Sequence, residues 1–335
     1  MSSAALNDLL KKVSRSFYLT LRVLPGAVRP QIGLAYLLAR ATDTVADTDV
    51  LPVEERLATL RRLRERISGN STKPLDLQLQ GYGPEQRLLE EMENLFRIFQ
   101  TFSASDQQRI RELLAIIVSG QELDLVRFGK ANERSIVALH TAEELDDYTY
   151  RVAGCVGEFW TRMCRTHLFP NATIDDKFLL ENGVRFGKGL QLVNVLRDIP
   201  RDLRGGRCYV PAKELAEARL APGDLLKPAN EPRFRPVYDR WLARAESHLR
   251  AGWDYTNALP RRCARVRLAC AWPILIGLRT LDRLKVEPVL DPDRRIKVSR
   301  GEVRSIMAHS VIVYPFTNAW RLQVSAPEQQ SANYL

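Results

Sequence analysis

Two acid pairs, Asp43/Asp47 and Asp198/Asp202, are the residues of this chain best placed to do chemistry. Each pair has i,i+4 spacing and so presents two carboxylates on one face of a helix. Polar residues share each stripe. Tyr36 and Arg40 precede the first pair, and Gln191 and Asn194 precede the second. At about 100° per residue, each set stays on one side of its helix. Two acidic faces beside basic groups suit a site that holds anions through a bridging divalent metal. Mg²⁺ takes carboxylate oxygens together with substrate phosphates rather than a full protein cage. A single pair is ordinarily a solvated helix edge. Two pairs, each in mostly apolar surroundings with polar residues on the same stripe, favour the metal.

The surrounding residues extend this pattern. Ser14-Arg15-Ser16-Phe17 sets an arginine between two hydroxyls, which makes a phosphate clamp or an ordinary basic turn. After the second pair's helix, the stretch from Asn194 to Pro211 alternates acids with arginines, including Arg197 and Arg207. Pro200 stands between Asp198 and Asp202, so the helix is predicted to kink there. Gly205 and Gly206 would let the following loop fold back over a ligand. Tyr148 opens a segment carrying Ala153, Gly154 and Gly157 inside a predicted helix. Those small residues serve either close helix packing or space for a long apolar chain. Gly183, Gly187 and Gly189 lie mid-helix and read as packing.

Helical periodicity dominates the elements that must position these residues. It predicts helices over 4–20, 29–47, 52–68, 85–102, 105–127, 142–168, 174–197, 234–257 and 261–286, with another near 300–309. Ser105 and Thr141 are expected N-caps, Thr141 in a capping box, and Pro52 a first-turn proline. No two-residue alternation runs long enough for a sheet, so the class is all-α. The acid faces lie about 155 residues apart. Sharing one site would require them to converge, which predicts a single domain over 1–323. The polar segment 324–335 reads as a disordered tail.

The 335 residues carry a net charge of +10, which admits nucleic acid, an acidic membrane surface or a polyanionic small substrate as partner. No zinc-finger spacing, RNA-binding aromatic motif or long Lys/Arg tract is present, so nucleic acid is disfavoured. Cys155, Cys164, Cys208, Cys263 and Cys270 are scattered without C-x-x-C spacing, which implies a reducing cytoplasm. No signal peptide or membrane-spanning stretch is evident, so any membrane contact is peripheral, from one side. His140, His167, His248 and His309 lack metal-ligand spacing and read as structural or surface residues.

Taken together, these motifs resemble the squalene/phytoene synthases, which join two prenyl diphosphates head to head. The markers are Ser14–Phe17, the Tyr36-x3-Arg40-x2-Asp43-Thr44-x2-Asp47 helix, and Tyr148-x3-Val152-Ala153-Gly154-x2-Gly157. The last is Gln191-x2-Asn194-x2-Arg197-Asp198-x3-Asp202 followed by Arg207-x-Tyr209-x-Pro211. The resemblance covers roughly residues 10–310. It implies an all-α isoprenoid-synthase bundle around a central cavity and farnesyl diphosphate as substrate. It also implies Mg²⁺, with Mn²⁺ as a substitute, held by Asp43, Asp47, Asp198 and Asp202 with Asn194 nearby. Ser14, Arg15, Tyr36, Arg40, Gln191, Asn194, Arg197, Arg207 and Tyr209 would then bind diphosphate, and Tyr148 would face the reacting carbons.

The family divides after condensation. Squalene synthases reduce the cyclopropyl intermediate with NADPH, whereas phytoene and dehydrosqualene synthases do not. The phrase from Arg40 to Val45 is similar to squalene-type enzymes. So is the segment from Ile296 to Gly301, whose Lys297 and Arg300 would meet the cofactor's phosphates or else form a charged helix start. No Gly-rich dinucleotide loop is present, so NADPH rests on the resemblance alone. The chain departs from animal squalene synthases at Ala46, where they carry Glu. It departs again at Thr149, which follows the motif tyrosine where a small or sulfur-bearing residue is usual. Lacking a carboxy-terminal membrane helix, it resembles a bacterial form. The rival readings are a non-reductive synthase that yields presqualene diphosphate, dehydrosqualene or phytoene, and a non-catalytic assembly factor at a membrane surface.

Overall fold

The computed structural model describes residues 3–13, 17–48, 50–75 and 83–324. The elements of the first part are α1 (Ser3–Val13), α2 (Phe17–Val23), α3 (Arg29–Asp47), α4 (Val53–Ser68), α5 (Pro84–Glu90), α6 (Met92–Gln100) and α7 (Ala104–Phe128). Next come β1 (Val137–Ala138), α8 (Ala142–Thr149), a π-helical turn (Tyr150–Gly154), α9 (Cys155–His167), α10 (Asp176–Arg197), α11 (Ile199–Arg204) and β2 (Arg207–Cys208). The last are α12 (Ala212–Glu217), α13 (Glu231–Ala258), α14 (Ala264–Val286), α15 (Arg300–Val313) and α16 (Thr317–Leu322), with short 3₁₀ turns before α13 and α14. The class is all-α, as the periodicity implies. The proposed tail lies almost wholly outside the described residues, with only Val324 seen.

The chain divides into two compact units, Met1–Ala131 with Glu158–Pro170 and Asn132–Gly157 with Asn171–Leu335. In the first unit α3 is the central element. It packs against α7, α4 and α5. Its apolar positions Leu34, Leu37, Leu38, Ala41 and Val45 are buried, a spacing of three and four that makes one continuous stripe. In the second unit α10 and α13 pack along much of their lengths, and α14 covers both. Tyr238 on α13 donates its hydroxyl to the carbonyl of Leu196 at 3.2 Å, satisfying both buried groups near the end of α10.

Helix ends separate the sequence expectations that hold from those that do not. α3 runs over its predicted span, and Pro200 does break the helix. α10 stops at Arg197, and α11 restarts at Ile199 with Pro200 in its first turn. The predicted helix over 85–102 is two helices that break at Glu91, with no Gly or Pro to announce it. The cap of α7 is Ser103, not Ser105. Its hydroxyl accepts from the Asp106 amide at 3.2 Å. Thr141 caps α8, but Glu144 accepts from the His140 amide rather than from Thr141, so the capping box is only half formed. Pro52 is the residue before α4, not its first.

The small residues in the Tyr148 segment answer to packing, not to room for a ligand. A Cβ added at Gly157 would stand 1.8 Å from the Gly183 carbonyl oxygen, and one at Gly187 would stand 2.0 Å from that of Ala153. Backbone meets backbone at both places, so only glycine fits. Gly157→Ala should therefore lower unfolding free energy by about 3 kcal/mol, because carbonyl and helix must both move. Gly26→Ala, with nothing within 4 Å of the new methyl, should change it by less than about 0.5 kcal/mol. Urea unfolding of the two variants checks this, and equal stabilities would refute the crossing.

Candidate active site

On α3 the predicted stripe is the face left after burial of the apolar one. Tyr36, Arg40 and Asp43 are half-buried and Asp47 is exposed. Arg40 pairs with Asp43 through Nη1 and with Glu85 on α5 through Nη2 at 3.2 Å. Glu85 was not predicted, since nothing in its local sequence links it to a residue 45 positions earlier. The Arg40 Nε is buried and without a hydrogen-bond acceptor among the described residues. It is a donor in want of an anion. Burial pushes the Asp43 carboxyl up to about 6, and the charge of Asp47 adds to that while Arg40 opposes it. The Tyr36 hydroxyl, predicted to bind diphosphate, donates to the Val13 carbonyl at 3.3 Å and so holds α1 to α3. Ala46 is buried. Ser14 and Arg15 lie outside the described residues.

In the second unit the predicted residues fall into two neighbouring side-chain groups. Asn194 donates to Gln191 Oε1 at 3.4 Å, and Gln191 Nε2 donates to the Tyr148 hydroxyl at 3.2 Å. Tyr148 stacks on Tyr209, with ring centroids 4.4 Å apart. Both tyrosines are buried. One turn beyond Asn194, Arg197 grips Asp198 with two hydrogen bonds, 2.8 Å from Nε and 2.6 Å from Nη2. This planar fork is the geometry in which arginine binds carboxylate or phosphate. Asp202 follows on α11. Its carboxyl is pushed up to about 7 by burial, with Asp198 adding to the shift and Arg207 opposing it.

A small local sheet sets the loop that carries Arg207 and Tyr209. β1 and β2 pair in parallel, Val137 with Arg207 and Ala138 with Cys208. Gly206 enters this pairing at φ 76°, a left-handed conformation that glycine adopts without strain. The turn predicted at Gly205–Gly206 therefore uses the second glycine. The sheet was missed because two-residue strands carry no alternation to read.

Lys297 and Arg300 flank the start of α15 and are exposed. Ser299 and Glu302 form a complete capping box there. The box accounts for those two residues but not for Arg300, a cation at the positive end of a helix dipole. Of the four histidines, His140 and His309 are exposed and the other two make internal contacts. His167 Nε2 pairs with the buried Asp106 at 2.9 Å, and burial pulls His248 down to about 4, helped by the nearby charge of Arg185. All five cysteines are free.

The chemistry of each acid pair, taken by itself, fits a hard divalent cation. Each pair offers carboxylate oxygens, and Asp43 and Asp202 sit where a positive partner would reverse the effect of burial. Among the described residues no three His, Cys, Asp or Glu side chains group closely enough to cage a metal. Mg²⁺ or Mn²⁺ would accordingly depend on substrate oxygens and water to complete its shell. Lys297 and Arg300 fit a phosphate-bearing cofactor in charge.

The chain is similar to known proteins. The chain is 28% identical over 301 residues to the Botryococcus squalene synthase of Botryococcus braunii, covering 89% of this chain but 61% of that protein, under two thirds of its length. It is 28% identical over 309 residues to the presqualene diphosphate synthase of Sinorhizobium fredii, covering 91% of this chain and 96% of that one. The solved structure of TcSQS with the ligand BPH1237 shares the fold, with a TM-score of 0.78 at 23% identity over 96% of this chain and 90% of that one. The squalene/phytoene synthase family model matches residues 10–302. With both acid faces, the Tyr148 segment and the Arg207–Tyr209 loop inside that span, the chain belongs to the squalene/phytoene synthase family.

Proposed function

We propose that the chain condenses two farnesyl diphosphates to presqualene diphosphate and reduces that product to squalene with NADPH, as one catalytic domain. The observation that carries this reading is the hydrogen-bonded chain from Tyr148 through Gln191 to Asn194, one helical turn before the paired Arg197 and Asp198. It sets a buried aromatic pair, suited to carbocations, near an acid–arginine pair, suited to diphosphate. Asp43, Asp47, Asp198 and Asp202, with Asn194, would hold Mg²⁺, which supplies Lewis-acid neutralisation of the leaving diphosphate. Arg40, Arg197 and Arg207 would orient the diphosphate oxygens as its carbon–oxygen bond breaks. The double bond of the second molecule attacks the allylic cation, and proton loss closes the cyclopropane ring. The faces of Tyr148 and Tyr209 would stabilise positive charge there. The buried setting of both rings keeps water from trapping the cation. For the second half-reaction, NADPH would supply the hydride that quenches the rearranged cation, and Lys297 and Arg300 would hold the cofactor's phosphates.

A non-reductive reading has its own support. The Sinorhizobium relative is matched over nearly its full length and is a presqualene diphosphate synthase. Incubation with farnesyl diphosphate and Mg²⁺, with and without NADPH, separates the two by product. Squalene that appears only with NADPH supports the reductive reading, and presqualene diphosphate in both tubes refutes it. In the reductive case Lys297→Gln/Arg300→Gln should raise the NADPH KM on the order of tenfold while leaving the first half-reaction unchanged.

The acid faces give a second prediction with two readouts. Asp43→Asn and Asp198→Asn should each lower turnover on the order of 10³-fold. Asp43→Asn should at the same time stabilise the fold. The folded carboxyl titrates at about 6, above the 3.8 of a free Asp, so the native state binds the extra proton between those values. Stability is therefore lost as pH rises through 6. The side chain is 41% exposed, and solvent screening limits the gain to about 1 kcal/mol. In metal-free buffer the variant should melt about 2 °C higher near pH 7.5 and no higher near pH 4. Full activity in either variant would sink the proposed role of these acids.

A further inference from the structure

The corner between α15 and α16 exposes four large apolar side chains. Val311 is 50% exposed, Ile312 67%, Phe316 64% and Leu322 55%. On α15, Arg304, Ala308, Val311 and Ile312 share the solvent face at three- and four-residue spacing. This surface is held firmly. Trp320 is buried, stacks on Trp253 at 5.0 Å, receives the edge of Tyr314 at 4.9 Å, and donates to Asn257 Oδ1 at 2.8 Å. Trp272 donates to Ser310 from beneath α15 at 2.9 Å. The four side chains are thus displayed by a braced frame and are not the product of a fraying end.

Arginines rim the corner, and acids avoid it. Arg261 donates to Thr317 Oγ1 at 2.6 Å and to the Pro315 carbonyl at 3.0 Å, while Tyr314 donates back to the Arg261 carbonyl at 2.6 Å. Buried Arg267 lies against Tyr314 and Trp320. Burial pulls its pKa down, and the nearby charges of Arg261 and Arg321 add to that. Arg262 and Arg321 are exposed. Neither they nor Arg261 has a carboxylate partner among the described residues. Neither Tyr255–Leu281 nor Val303–Pro327 contains an Asp or Glu, whereas the first stretch carries Arg261, Arg262, Arg265, Arg267 and Arg279.

We propose that this corner docks the protein on an anionic lipid bilayer from one side. Apolar side chains enter the headgroup boundary, and the arginines meet lipid phosphates. No described helix is long and apolar enough to cross a membrane, and the proposed contact is made by this surface. A second copy of the chain is a poor occupant. A two-fold interface sets the same patch on itself and would press Arg261, Arg262 and Arg321 against their own like charges. The inference stands apart from the chemistry proposed above, since none of these residues belongs to the candidate active site.

Sedimentation of the 335-residue protein with vesicles tests it, using phosphatidylcholine alone and phosphatidylcholine with about 30% phosphatidylglycerol. Binding is expected only to the anionic vesicles, and about tenfold weaker in high salt. Arg262→Gln/Arg321→Gln and Ile312→Ser/Phe316→Ser should each weaken it about tenfold while leaving the circular dichroism and prenyl transfer unchanged. Absence of binding to anionic vesicles would overturn the proposal, as would unchanged binding by both variants. So would a wild-type dimer in solution that Ile312→Ser/Phe316→Ser converts to monomer, which would assign the patch to self-association.

Discussion

The second unit depends on a crossing without side chains. At Gly157 against Gly183, and at Gly187 against Ala153, the Tyr148 segment and α10 touch through their backbones. Any Cβ at Gly157 or Gly187 would drive the two helices apart. Because they sit this close, a tyrosine at the end of α8 reaches a glutamine one turn past the crossing on α10. The π-helical turn falls at the same place. A single such turn rotates the next stretch of helix about its axis, so residues on either side need not obey one helical register. The crossing thus fixes the distance from ring to amide, and the amide chain carries that register to Asn194 and on toward Asp198.

α10 then has to end in the right place. Pro200 denies the helix one amide and disfavours helical geometry before it, and the chain restarts as α11. Asp198 takes the joint and Asp202 the following turn. Unequal surroundings result. Asp198 is held by the Arg197 fork, whereas Asp202 faces the interior and carries a raised pKa. On α3 the division is reversed, since Arg40 engages Asp43, the acid with the raised pKa, and leaves Asp47 in solvent.

Range decides how much of this was legible in the sequence. The span of α3, the break at Pro200 and the stripe 36-40-43-47 depend on neighbours within a few residues, and local periodicity reports them, whereas the stripe 191-194-198-202 is cut because α10 ends at Arg197 and Asp202 lies on α11. The pairing of Arg40 with Glu85, the stack of Tyr148 on Tyr209 and the β1–β2 pairing depend on residues brought together by folding. No local pattern encodes those. The break at Glu91 lacks a marker because its residues are all good helix formers and the decision is made by packing. The glycines were ambiguous for a different reason. A missing side chain leaves the same trace in sequence whether a ligand or another backbone fills the space.

Charge is where the fold stops short of compensating itself. Arg40 holds Asp43 and Arg197 holds Asp198, yet Asp43 itself and Asp202, the neighbour of Asp198, titrate above a free carboxyl. An arginine fork cannot serve a carboxylate and a phosphate at once. A diphosphate that takes the arginines would leave the aspartates more strongly uncompensated, and a cation that takes the aspartates would leave the arginines without a partner. Each arrival alone costs electrostatic energy that the other returns, which is the thermodynamic form of positive coupling between two ligands. In the proposed reaction, ion pairs between neighbouring side chains would therefore act as placeholders. They keep acids and bases from collapsing elsewhere while leaving both ready to exchange partners together.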